Sequence, residues 1–139
     1  MVKKGWPFGK TVVYYVYNKE LGEYKMTNAL IENVPAIIEE AKVAAFAASD
    51  KFFKEELGGQ DQYACGFAWV NIYGVKMNTK MGKAFKAAGL SKDYTGSISM
   101  WNPSKYGCQN VDTLEAGAEA AAAVFKKHGF RAYAGSRLD

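Results

Sequence analysis

The chain has 139 residues, 49% of them hydrophobic and 23% charged, with a net charge of +4. That length suits one domain with its own core, and the balance excludes intrinsically disordered and fibrous classes. Two cysteines exclude a disulfide framework, and no stretch approaches the roughly 18 apolar residues that a membrane span needs.

Residues 1–10, MVKKGWPFGK, break into Gly, Trp and Pro where a secretory leader would turn apolar, so an unprocessed N-terminal arm carrying Trp6 and Phe8 is expected. Thr11–Tyr17 is β-branched and aromatic throughout and predicts a strand. NKELG then marks a turn, and Glu23–Met26 reads either as a short returning strand or as the approach to a helix. A long helix follows, starting with Asn33 as N-cap and Pro35 in the first turn, or earlier at Thr27 or Asn28, and ending at Gly58 and Gly59. Its recurring positions, Ile37 or Ile38, Ala41, Ala44 or Ala45, Ala48 and Phe52, form a stripe of mostly small residues.

Tyr63–Tyr73, YACGFAWVNIY, alternates between two unlike sets. Ala64, Gly66, Ala68, Val70 and Ile72 fall on one side, and Tyr63, Cys65, Phe67, Trp69, Asn71 and Tyr73 on the other. This predicts a central strand whose small face admits the alanine stripe of the long helix. A short helix capped by Asn78 or Thr79 and stopped by Gly89 comes next, with Lys76, Lys80, Lys83 and Lys86 on one stripe. Thr95 or Gly96 to Trp101 predicts a third strand, ended by Asn102 and Pro103. Asp112 with Glu115 predicts the start of a last alanine-rich helix, with Lys126, Lys127 and His128 in its final turn and Gly129 as its stop. Phe130–Ala134 predicts a fourth strand, followed by a GSRLD tail.

The simplest assembly is a single α+β domain: a two-layer sandwich with a mainly four-stranded sheet and the two long alanine-rich helices on one face, ferredoxin-like with an extra short helix. If the helices cover Val70, Ile72, Ile98, Met100, Phe130, Ala132 and Ala134, the other face carries Phe67, Trp69, Asn71, Tyr73, Ser97, Ser99, Trp101, Arg131 and Tyr133. An aromatic surface of that extent calls for a cover: the arm, a second copy, another protein or stacked bases. The charge is uneven as well. Residues 62–92 hold five lysines and no acid, whereas the flanking segments are close to neutral. Such a block favours anionic partners, or simply keeps a helix solvated.

Gly66-Phe67-Ala68-Trp69-Val70 resembles the centre of the RNP1 motif of RNA recognition motifs, with Phe67 and Trp69 on its base-stacking positions, and Tyr15-Val16-Tyr17-Asn18 loosely resembles the companion RNP2 strand. Cys65 replaces the basic residue of that motif and Ile72 an aromatic. The chain, through YACGFAWVNIYG, the WNPS loop and AYAGSRLD, also resembles small uncharacterised proteins encoded by tailed bacteriophages. That resemblance implies a host-cytoplasm location and no activity.

Catalytic signals are weak. The lone histidine, His128, fits a helix cap better than a base. Glu39-Glu40 and Glu55-Glu56 read as the solvated side of the long helix, and no metal spacing, P-loop or Gly-x-Ser-x-Gly occurs. No catalytic residue, metal or cofactor is therefore assigned, and the cysteines are expected as free cytoplasmic thiols, with a Cys65–Cys108 bridge as the alternative. The expected function is that of a small non-enzymatic binding protein. Its binding face is Phe67, Trp69, Asn71, Tyr73, Trp101, Arg131 and Tyr133, with Lys76, Lys80, Lys83 and Lys86 for anions. A host protein or a second copy in a homodimer is the first expected partner, single-stranded nucleic acid the alternative, and an enzyme on a nucleotide or small metabolite the third reading, with no membrane involved.

Overall fold

A computed structural model describes residues 2–5, 12–18, 23–26 and 28–139, with side chains from Leu30 onward. Three strands come first: β1 (Val2–Gly5), β2 (Val12–Asn18) and β3 (Glu23–Met26). They form an antiparallel sheet of their own, in the order β1-β2-β3. The expected first strand thus exists but lies outside the main sheet, and residues 2–5 of the expected arm are its partner. Propensity specifies a strand without specifying what it pairs with, and pairing strands near in sequence costs less chain entropy than a long crossover. Trp6 and Phe8 lie outside the described residues.

Helix begins at Asn28, as the earlier of the two expected starts has it, but it is not one helix with Pro35 inside: the start at Asn33 is that of a second helix. Helix α1 (Asn28–Glu32) stops at Asn33, and α2 (Val34–Glu55) starts anew with Pro35 in its first turn. Pro35 has no N–H to offer the carbonyl of Ile31, so the hydrogen-bond ladder breaks there. The buried stripe of α2 runs through Val34, Ile37, Ile38, Ala41, Ala45 and Ser49. Glu40 is buried as well, against the expectation of a solvated face. Its carboxylate lies 2.7 Å from His128 Nε2 and 2.5 Å from Lys127 Nζ. His128 is the C-cap of the last helix and is itself 1% exposed.

From Gly66 onward the chain runs β4 (Gly66–Tyr73), α3 (Lys80–Ala87), β5 (Ser91–Lys92), β6 (Ile98–Trp101), α4 (Val111–Lys127) and β7 (Arg131–Leu138). The four strands form one antiparallel sheet in the order β5-β6-β4-β7, so the α+β class and its four-stranded sheet are present, with β5 as a member in place of the expected N-terminal strand. Strand β7 also runs four residues beyond the expected Ala134, and Gly66↔Leu138 to Tyr73↔Arg131 pair along its whole length. Residues 63–65 leave the expected central strand. Their backbone is tied instead to the start of α4, through Val111 N–H to Ala64 O at 3.0 Å, Gly66 N–H to Gln109 O at 3.0 Å and an isolated Cys65↔Asn110 bridge.

Helix α4 lies directly over β4 and β7, and α2 packs against α4. The close approach to β4 expected of the long helix is thus made by α4, whose Gly117, Ala118, Ala121 and Ala122 are buried. Its cap is Asn110, two residues before the expected Asp112: Asn110 Oδ1 accepts from the Thr113 N–H at 2.8 Å, and its Nδ2 donates to Gln62 O at 2.8 Å. At the α2–α4 crossing Ser49 donates to Thr113 O at 2.8 Å, entirely buried. Phe85 of α3, Phe125 of α4 and Phe130 close the far end edge to face, at 79° for Phe85–Phe130 and 78° for Phe125–Phe130. Each such ring contributes about 1.5–3 kcal/mol by leaving water. On the outer side of α2, Tyr106 sits between Phe46 and Phe53 and donates to Asp50 at 2.7 Å. That bond pushes the Tyr106 phenol up to about 12 and holds Asp50 below its ordinary value.

Candidate aromatic binding face

Alternation along β4 decides which side chains reach the open face. Gly66, Ala68, Val70 and Ile72 are buried toward the helices, while Phe67, Trp69 and Asn71 are half-buried and Tyr73 is exposed. Strand β6 does the same, with Ile98 and Met100 inside and Ser99 and Trp101 outside. The register then aligns them in rows across the sheet: Gly135–Trp69–Trp101, Tyr133–Asn71–Ser99, Arg131–Tyr73 and Arg137–Phe67. Phe67, Trp69, Asn71, Tyr73, Trp101, Arg131 and Tyr133 therefore share one face, opposite α4.

The centre of this face is a pair of indoles. Trp69 and Trp101 are parallel to within 2°, with centroids 5.6 Å apart, and Phe67 lies 5.6 Å from Trp101 on the diagonal. Trp69 leans over Gly135, where a Cβ would come within 2.6 Å of its Nε1, so the absence of a side chain there is what lets the ring lie flat. With its amide turned to satisfy both ends, Asn71 accepts from the Trp69 indole N–H at 3.1 Å and donates to Asp93 Oδ2 at 3.2 Å. The lone carboxamide among the aromatics thus fixes the indole. Tyr73 and Tyr133 continue the row at 5.9 Å, and Trp101 and Tyr133 are about half exposed, at 54% and 52%. Cations border it: Arg137 lies 5.4 Å over the Phe67 ring, Lys126 lies 5.0 Å over Tyr133, and Arg131 is exposed beside Tyr73.

A hollow of about 460 Å3 opens beside the indoles, with Trp69, Asn71, Tyr73, Ser99 and Trp101 as floor, Asp93, Tyr94 and Thr95 as one wall and Arg137 at its edge. That wall is the turn of the β5–β6 hairpin. Gly96, at φ +92°, donates its N–H to Asp93 O at 3.2 Å, closing a four-residue turn that ends on a left-handed glycine. Asp93 Oδ1 accepts from the Thr95 N–H (2.8 Å), Thr95 Oγ1 (2.6 Å) and the Ser97 N–H (3.2 Å), and Oδ2 accepts from Ser97 Oγ (3.0 Å). The Thr95 bonds, with those of Ser97 behind them, hold the Asp93 carboxyl below its ordinary value. Its lone pairs are filled, so it braces the turn and presents little negative character to a ligand. Ser97, expected on the open face, is buried in this brace.

Sequence reasoning missed Asp93, Tyr94, Thr95 and Arg137. The spacing Asp93-x-Thr95-x-Ser97 is an Asx-turn signal that could have been read. Arg137 joins only because β7 runs on past Ala134. The four lysines of the anion-binding reading are all exposed, but they are placed differently: Lys80, Lys83 and Lys86 lie on α3 across from its buried Met81 and Phe85, while Lys76 lies in the loop leaving β4. Both cysteines are free; Cys65 is exposed, and burial pushes the half-buried Cys108 thiol up. Among the described residues, no group of three or more His, Cys, Asp or Glu side chains is placed to hold a metal, and no helix is long and apolar enough to cross a membrane. Compared with known proteins, the chain matches no protein-family model, no curated protein and no solved structure.

Proposed function

We propose that this protein is a small non-enzymatic binding protein whose open sheet face takes single-stranded nucleic acid. One observation carries the reading: the parallel Trp69–Trp101 pair on the two central strands of the sheet, bordered by Arg131 and Arg137 on the neighbouring strand. Indole faces stack any base and the flanking guanidiniums meet phosphates, which is how sequence-tolerant single-strand binding is built. The succession β-α-β-β-α-β with this strand order is ferredoxin-like in our reading, and it puts the aromatics where a sheet platform needs them. The resemblance to phage proteins would locate this activity in a bacterial host's cytoplasm.

A second reading, a homodimer or a host-protein partner covering the same face, rests on the exposure of Trp101, Tyr133 and Tyr94. Titrating a labelled oligothymidylate separates the two. Stacking predicts quenched tryptophan emission and a loss of about 1–3 kcal/mol in Trp101→Ala. No binding at low salt, together with a light-scattering mass that falls to the monomer in Trp101→Ala, would replace the nucleic-acid reading with the dimer.

A further inference from the structure

The β5–β6 turn borders two hollows. Its residues 93–95 wall the aromatic groove, and Lys92 and Gly96 line a second hollow of about 460 Å3, completed by Val75, Lys76, Met77 and Asn78 from the loop leaving β4. No carboxylate lines this second hollow. Residues 62–92 contain no acid, and Asp93 next door has its oxygens engaged by Thr95, Ser97 and Asn71. Neither Lys76 nor Lys92 has an ion-pair partner among the described residues. Two like charges brought to one hollow without a counter-charge repel each other, an arrangement that an anion between them relieves.

Both lysines start from anchored positions. The Lys76 carbonyl accepts from the Thr79 N–H at 3.1 Å and from Thr79 Oγ1 at 2.5 Å, and Thr79 is in turn held by the Gly82 N–H at 3.1 Å. The Lys92 stem runs along the turn, its Cε 3.6 Å from where a Cβ on Gly96 would stand. Lys92 lies opposite Ile98 and so on the helix-facing side of the sheet, whereas Asp93 bonds Asn71 on the open face, so the two hollows lie on opposite sides of the β5–β6 turn.

We propose that the Lys76–Lys92 hollow is a phosphate site, holding the backbone of the strand whose bases stack on Trp69 and Trp101. This rests on the nucleic-acid reading above. It replaces a diffuse lysine stripe with two defined contacts and gives the bound strand a path: bases over the indoles, backbone across the β5–β6 turn.

The test is the salt dependence of oligothymidylate affinity, followed by fluorescence anisotropy from about 50 to 200 mM salt. Lys76→Gln/Lys92→Gln should flatten the log-log slope by about 1.4, at about 0.7 per lost contact. Lys80→Gln/Lys83→Gln, which removes equal charge from the exposed side of α3, should leave the slope near the wild-type value. Trp101→Ala should weaken binding with the slope retained. An unchanged slope in Lys76→Gln/Lys92→Gln, or an equal change in both lysine pairs, overturns the phosphate site while leaving stacking intact. Undiminished affinity in Trp101→Ala overturns stacking alone, and no wild-type binding overturns both. The five positions are four exposed lysines and an exposed ring, and circular dichroism checks that each variant keeps its fold.

Discussion

Replacing Gly117 by Ala pits two effects of opposite sign against each other. In an open helix the change stabilises by about 1 kcal/mol, because alanine is the better helix former. At the α2–α4 crossing the new methyl would stand 2.7 Å from Ser104 Cβ and 3.1 Å from Ala45 O, and closer still to Ser49 Oγ. Ser104 Cβ and Ala45 O cannot swing aside, and Ser49 Oγ can do so only by leaving Thr113 O. Overpacking of this kind costs about 1–3 kcal/mol. Pushing Ser49 off Thr113 O leaves a buried hydroxyl unsatisfied at a further cost of about 1–3 kcal/mol. The steric terms win, and a net loss of about 2 kcal/mol is expected, or about 8 °C in melting temperature for a chain of this size. Urea unfolding of the wild type, Gly117→Ala, Ser49→Ala and the double variant measures it. Because Ser49→Ala removes the nearest obstructing atom, the double variant should lose less than the two single losses added together. A rise in stability in Gly117→Ala would show that the helices are not in contact there, and would refute this packing.

Two further outcomes follow from the sheet. Gly135→Ala, by driving a methyl into the Trp69 indole, should abolish the near-ultraviolet dichroism of the parallel indole pair and weaken oligonucleotide binding while far-ultraviolet helicity stays unchanged; retained near-ultraviolet signal would mean that Trp69 does not lean on β7. Asp93, whose folded-state pKa is depressed below 3.8, contributes stability that is present above that value and is lost as pH falls through the lower folded one. Acid titration of stability should therefore fall less steeply below about pH 4 in Asp93→Asn than in wild type, and coincident curves would show that the turn does not depend on the charge.

What could be read in advance was what lies in side-chain periodicity. Gly66–Tyr73 alternates so consistently between small and bulky that its two faces were legible, and with them most of the open face, because a strand leaves each residue only two directions. Pairing was not legible. Ser91 and Lys92 carry no strand propensity and form β5 only through Ser99 and Ile98 opposite them, whereas Val12–Asn18 has every local mark of a strand and pairs elsewhere. Glycine 135 reads as a breaker, yet it continues β7 because a neighbouring indole needs its missing Cβ. Asn110 and Asp112 are equally good caps in isolation, and the contacts of Asn110 with Gln62 and of its backbone with Asp61 decide between them. Glu40 looked solvated because its partner His128 is 88 residues away.

The pairing of β4 with β7 has a consequence for biogenesis. As the chain is synthesised, β4 emerges early and first meets β6, but the strand on its other side, and the second half of the surface on which α4 rests, are made only when residues 131–138 have followed. Until then the small inner face of β4 and the buried side of α4 have only part of their cover, and Phe67, Trp69 and Trp101 stand on a sheet that cannot yet close. Such non-local pairings form slowly and leave unpaired strand edges exposed meanwhile. This places the period of greatest exposure to chaperones and to self-association between the synthesis of α4 and that of Leu138, and makes β7 the segment whose arrival commits the nascent chain to its fold.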